Sequence, residues 1–276
     1  MLDRRSVGAI ALAAVLSMAT VGAWAHDEAK YPDWKGQWSR IGGVQWDPSK
    51  PRLRQQAPLT AEYQAILEAN LADLATGGHA NNPTYTCKPP GMPRVMTLVE
   101  PMEAIITPDM TYMRIEYMNT LRRIHTDGRD WPEKIEPTFA GYSIGKWEDT
   151  SGNGRYDTLV VDTRGLKGHR FLDSSGMPLH RDNRTVVKER IYLDKADRDI
   201  LHNDITTIDD ALSRPWTVNR TYRRNRSPNW VDFVCAENNR EVIIGNEGYF
   251  LSADGYLMPT KKDQPPPDLR YFPKQQ

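Results

Sequence analysis

The sequence predicts a mainly β protein, an antiparallel up-and-down barrel or sandwich with one N-terminal helix. Three observations predict it. From Val95 onward, short runs with period-two alternation follow one another. Trp216, Val218 and Arg220, for example, fall on one face, with Thr217 and Asn219 on the other. Turn-forming pairs recur between the runs: Pro108-Asp109, Asp127-Gly128, Gly152-Asn153-Gly154, Ser175-Gly176 and Ser227-Pro228. Twenty Pro and 19 Gly beside eight Trp and twelve Tyr suit strands and turns better than a helical bundle.

Taken in chain order, Arg4 and Arg5 precede a small-residue apolar run from Val7 to Val21, and Ala23-Trp24-Ala25 fits a cleavage site. These features predict a secretory signal over 1–25 and a periplasmic or secreted protein, with no stable membrane insertion once the signal is removed. The apolar run is shorter than the roughly 20 residues a membrane span needs. Residues 26–58 read as an irregular N-terminal segment, apart from Trp34-Lys-Gly36-Gln-Trp38. Tyr63, Ile66, Leu67, Leu71 and Leu74 share one helical face, Thr60 offers an N-cap and Gly77-Gly78 a stop, which predicts a helix over 61–75. Residues 78–93 read as a loop.

The expected strands are 95–99, 102–107, 111–118, 121–126, 142–148, 157–163, 185–194, 201–209, 215–224 and 230–236. Together with the helix they make one β-rich domain over 59–258, followed by a Pro-rich tail at 259–276.

The chain carries no net charge, and removal of 1–25 leaves one acidic side chain in excess. That balance excludes a general attraction to nucleic acid or anionic lipid. Cys87 and Cys235 are the two cysteines. In an exported chain an isolated pair reads as a disulfide rather than a metal motif.

Two resemblances enter on particular residues. Gly36-Gln37-Trp38 ahead of a strand series resembles the G-x-W start of lipocalin-type barrels, although a helix at 61–75 departs from the simple lipocalin order. Arg122-Arg-Ile-His-Thr-Asp-Gly-Arg129, Tyr142-Ser-Ile-Gly-Lys-Trp147, Asp157-Thr-Leu-Val-Val-Asp162, Arg214-Pro-Trp-Thr-Val218 and Cys235-Ala-Glu-Asn-Asn239 together resemble a family of exported bacterial β-proteins. The likeness spans about residues 34–258 and implies a secreted β protein, with no activity to carry over.

Four groups of residues carry candidate chemistry. Arg123, His125 and Asp127 read either as a locally paired turn or as an acid–base site. In the second reading a cation lowers the imidazole pKa and Asp127 sets its tautomer. Asp149, Ser151, Asn153 and Asp157 place oxygens at alternate positions around Gly154, as a Ca²⁺ loop does. The twelfth position is Val160, so an EF-hand is excluded, and the alternatives are a shorter Ca²⁺ loop or a polar hairpin tip. Tyr142, Trp147, His180, Glu189 and Trp216 are candidate lining residues of an interior ligand cavity, with His180, Glu189 and Asp204 as a possible polar convergence. His26, the first residue after the expected cleavage site, is a candidate copper ligand. No nucleophile elbow, HExxH, Walker loop or dinucleotide-binding glycine pattern is present.

The leading expectation is an exported barrel that binds a small apolar or aromatic ligand in its interior. The alternatives are a periplasmic lyase, isomerase or hydratase using the Arg123–His125–Asp127 group, and a Ca²⁺-stabilised structural envelope protein.

Overall fold

The structure is a computed structural model and describes residues 27–42, 57–80, 82–168, 177–180, 182–237, 239–245, 247–265 and 267. The expected signal and His26 lie outside the described residues. Among those residues nine strands close into a barrel: β1 (Gln37–Ile41), β2 (Met102–Ile106), β3 (Met110–Ile115), β4 (Thr120–His125), β5 (Tyr142–Glu148), β6 (Thr158–Arg164), β7 (Val186–Leu193), β8 (Ile200–Ile208) and β9 (Trp216–Asn225). A second sheet of three strands follows, β10 (Glu241–Ile244), β11 (Glu247–Leu251) and β12 (Leu257–Pro259). The helix α1 spans Ala61–Ala75. No helix among the described residues is long and apolar enough to cross a membrane.

Strand order around the barrel follows chain order, and β1 closes the ring antiparallel to β9, from Gln37 opposite Asn225 to Ile41 opposite Thr221. All neighbours are antiparallel except β4 and β5, which pair in parallel at Ile124–Ser143 and His125–Ile144. Parity requires such a pair. A closed ring of nine strands returns to its starting direction only if an odd number of its neighbour pairs are parallel. A parallel join needs a long crossover, and residues 126–141 provide it. The Asp127-Gly128 turn therefore opens this crossover and does not close a hairpin. At the parallel seam Gly145 makes room: a Cβ there would stand 2.6 Å from Ile124 Cγ2.

Three expectations about elements change. Residues 37–41, in a segment expected to be irregular apart from Trp34–Trp38, form β1. The expected strand 95–99 is largely a buried 3-10 turn, Arg94–Thr97, and 230–236 contains no strand. The helix has its expected bounds, but its apolar stripe is mostly not covered. Leu67 and Asn70 are its buried residues, while Ile66 and Leu71 are exposed. Thr60 makes no side-chain cap bond.

The Cys87–Cys235 disulfide forms, with Cα atoms 5.5 Å apart across a separation of 148 residues. It ties the 3-10 turn Pro83–Thr86 to the segment after β9.

Alternation puts one face of each barrel strand inside. Met113, Ile124, Leu159, Val187, Ile191 and Leu201 fill much of the interior and are fully buried. Among them lies a charged pair. Arg122 of β4 donates from Nη1 to Glu189 Oε1 at 3.0 Å and from Nη2 to Glu189 Oε2 and Thr163 Oγ1. Asn203 Nδ2 donates to Glu189 Oε1 at 2.8 Å. Buried charge is tolerated when it is paired and hydrogen-bonded in this way.

Candidate functional site

One groove forms where the barrel wall comes apart. β1 and β2 meet at one paired position, Trp38 opposite Met102. Carried further, that antiparallel register would set Lys35 against Ile105 and Trp34 against Ile106. It does not continue, because the backbone turns at Gly36, whose φ of +104° lies where residues with a Cβ are strained. A Cβ at Gly36 would also stand 3.0 Å from the Asn225 carbonyl oxygen.

Upstream of Gly36 the chain is held away from β2 by Arg224 of β9. Its guanidinium donates to Asp33 Oδ2 at 2.9 Å, to the Asp33 carbonyl at 2.6 Å and to the Lys35 carbonyl at 2.9 Å. It also lies 4.5 Å over the Trp38 ring. Burial opposes ionisation of Asp33, but the Lys35 N–H and the Arg224 guanidinium outweigh it and hold the carboxyl below its usual range.

The gap left between the 28–35 segment and β2 has a volume of about 510 Å³. Tyr31, Pro32, Trp34, Ala104, Ile105 and Ile106 give it apolar walls, and Glu28, Asp33, Lys35 and Arg155 add polar groups. Trp34 is only 1 % exposed, yet its indole N–H has no acceptor. Its ring packs on Trp147 at 4.9 Å, and Tyr31 meets Trp147 edge-on at 5.4 Å. Trp147 is anchored in turn by its own N–H, donated to Thr111 Oγ1 at 3.2 Å. Burial, with Tyr156 and Asp109 adding, raises the Tyr31 pKa, so its hydroxyl stays protonated at neutral pH.

The candidate residues chosen from the sequence are not brought together. Trp147, Glu189 and Trp216 are buried inward-facing barrel residues, and Glu189 is taken up by Arg122 and Asn203. Tyr142 lies on the outer face of β5 and stacks on His125 at 4.8 Å. His180 lies outside the barrel strands, beside Asp182 at 3.1 Å and near Tyr63. Asp204 alternates onto the outer face of β8, where it accepts from Asn219 at 2.7 Å.

Arg123, His125 and Asp127 share the outside of the barrel. Asp127 is gripped by Arg129 through Nε at 2.9 Å and Nη2 at 2.6 Å, which brings its pKa to about 2. Burial and Arg129, with Arg123 adding, lower the His125 pKa against the opposing pull of Asp127. In the 149–157 hairpin tip, Asp149 accepts from the Asn153 and Gly154 amides, and Asp157 from the Thr150 and Ser151 amides. These hydrogen bonds organise a turn from within the loop.

Sequence reasoning missed Tyr31 and Trp34 as a site because the segment has no periodicity. The usable signal was the density of aromatic residues beside Gly36. No family model and no curated protein matches the chain.

Proposed function

We propose that this chain is an exported, lipocalin-like β-barrel that binds a small apolar or aromatic ligand, seated in the groove between the 28–35 segment and β2. The observation that carries the reading is the groove with its apolar walls, whose lining residues include Trp34, a buried residue with an unpartnered indole N–H. An unmet buried donor costs about 1–3 kcal/mol, and a ligand bearing one hydrogen-bond acceptor relieves that cost while its rings pack on Tyr31 and Trp34. Apolar walls with a few placed polar groups are the usual make-up of a small-molecule site. Export is supported by the N-terminal signal pattern, by the Cys87–Cys235 disulfide, which suits an oxidising compartment, and by the resemblance to exported bacterial β-proteins.

Native mass spectrometry of protein recovered from the periplasm is expected to show a retained small aromatic molecule. Ile105, half-exposed at the groove, provides a blocking variant: Ile105→Trp should lose that molecule. Trp34→Phe, which keeps a ring and removes the donor, should weaken binding of benzoate about tenfold in calorimetry. Protein that carries nothing, together with no saturable heat from benzoate, phenol or indole, would defeat the reading.

A further inference from the structure

A second pocket, of about 470 Å³, lies beside the disulfide, between the 3-10 turn at 83–86 and the sheet β10–β11. Tyr85, Phe250, Glu237 and Glu241 line it, with Arg240 exposed among them. Glu241 decides its chemistry. The side chain is 17 % exposed, and its Oε2 is buried without a hydrogen-bond partner. The imidazole nearest to it, His79 Nε2, stands 4.0 Å away, beyond hydrogen-bonding reach.

His79 stacks on Tyr85 at 4.1 Å and is itself 94 % buried, its Nδ1 also without a partner. Burial lowers the His79 pKa and raises that of Glu241, so the imidazole is a poor counter-cation. The walls are preorganised. Asn239 accepts the Glu241 N–H at 3.0 Å and donates to the Tyr85 carbonyl at 3.1 Å, bridging the two sides next to the Cys87–Cys235 bond.

We infer that this pocket binds a small organic cation carrying N–H donors, a primary ammonium or an amidinium. Its charge rests on Glu241 and its carbon frame lies between Tyr85 and Phe250. A buried carboxylate oxygen lacking a donor gains most from a ligand that brings both a proton donor and a positive charge. Aromatic faces add cation–π attraction. A neutral ligand of the same shape supplies neither, and an anion meets two carboxylates against the one guanidinium of Arg240.

The test is calorimetry on the full exported chain with n-butylammonium, using n-butanol as the neutral isostere. Saturable binding of the ammonium at millimolar concentration is expected, with butanol giving none. Glu241→Gln should weaken the ammonium about tenfold or more, with benzoate binding at the other groove unchanged. Phe250→Ala, at an exposed position that does not threaten folding, should weaken it by a smaller factor. Equal binding of butanol and butylammonium, no saturable heat from the ammonium, or full affinity in both variants would overturn the assignment.

Discussion

The barrel interior buries a glutamate and the pocket beside β10 half-buries another, and they treat it in opposite ways. Glu189 sits at 1 % exposure, with two nitrogens of Arg122 and the amide of Asn203 on its carboxylate. Glu241 is half-buried, 4.0 Å from His79 and in a pocket it shares with Tyr85 and Phe250, and its Oε2 has no donor. The first carboxylate has its donors within the chain, although Arg122 Nε and Asn203 Oδ1 beside it have no partner. The second carboxylate lacks such a donor on Oε2, and an unmet carboxylate beside an open pocket marks a place for another molecule. The same contrast separates the two tryptophans of the seam. Trp38 donates its N–H to the Trp34 carbonyl at 2.9 Å, whereas the N–H of Trp34 is unmet.

The largest expected effect comes from breaking the Arg122–Glu189 pair. Arg122→Met leaves Glu189 as an uncompensated charge in the interior and should cost about 3–5 kcal/mol in urea unfolding. The double variant Arg122→Met/Glu189→Leu should recover most of that loss. If the double variant is as unstable as the single one, the interior pair does more than balance charge.

A smaller effect probes the second region. Gly248 lies against His79, and a Cβ there would stand 2.2 Å from His79 Nδ1. Gly248→Ala should therefore cost about 1–3 kcal/mol by overpacking. It should also weaken butylammonium binding, because the displaced imidazole pushes Tyr85 into the pocket. A neutral outcome would mean that His79 is loosely held.

The smallest effect is in pH dependence. The folded-state pKa of His79 is lowered, chiefly by burial and also by Lys261, with Asp73 pulling it upward. A group with a depressed pKa contributes stability above its unfolded value of about 6.5, and that stability is lost as pH falls through the folded value. Glu241, whose pKa is raised, acts in the opposite sense, losing its contribution as pH rises through its folded value. His79→Phe should therefore flatten the fall in stability on the acid side of about pH 6.5. His125, also lowered, should leave a residual slope. An unchanged slope would show that His79 is solvated after all.

Much of the architecture was legible because its signals are local. The helix stop at 75 follows from a glycine pair whose amides return to the Leu74 and Asp73 carbonyls, and Thr60 marks the start without a side-chain cap bond. The strands from β5 to β9 follow from alternation and turn residues that each segment carries on its own. The failures have a common cause. Residues 37–41 become a strand only because β9, far along the chain, supplies their hydrogen bonds. Residues 95–99 are apolar because they are buried, and burial does not require extended backbone. The stripe on α1 predicted a covered face, but among the described residues little packs on it beyond Leu67.

The candidate sites were less legible for the same reason. Arg123 and His125 share a face of β4, since period-two alternation settles which residues face alike. It does not settle which face is inside. That depended on how the ring closes.

What the sequence determined by itself was the fold class, the helix, most strands and the two cysteines available to pair. Each of these follows from short-range periodicity, turn chemistry or a simple count. Only the tertiary structure decided that nine strands close with one parallel pair, that Arg122 neutralises Glu189, and that Gly36 opens the seam beside Trp34. It also decided that Glu241 Oε2 is left without a hydrogen-bond donor. These outcomes depend on closing long loops into one ring, where each side chain's partner is chosen by strand register rather than by its neighbours in the chain.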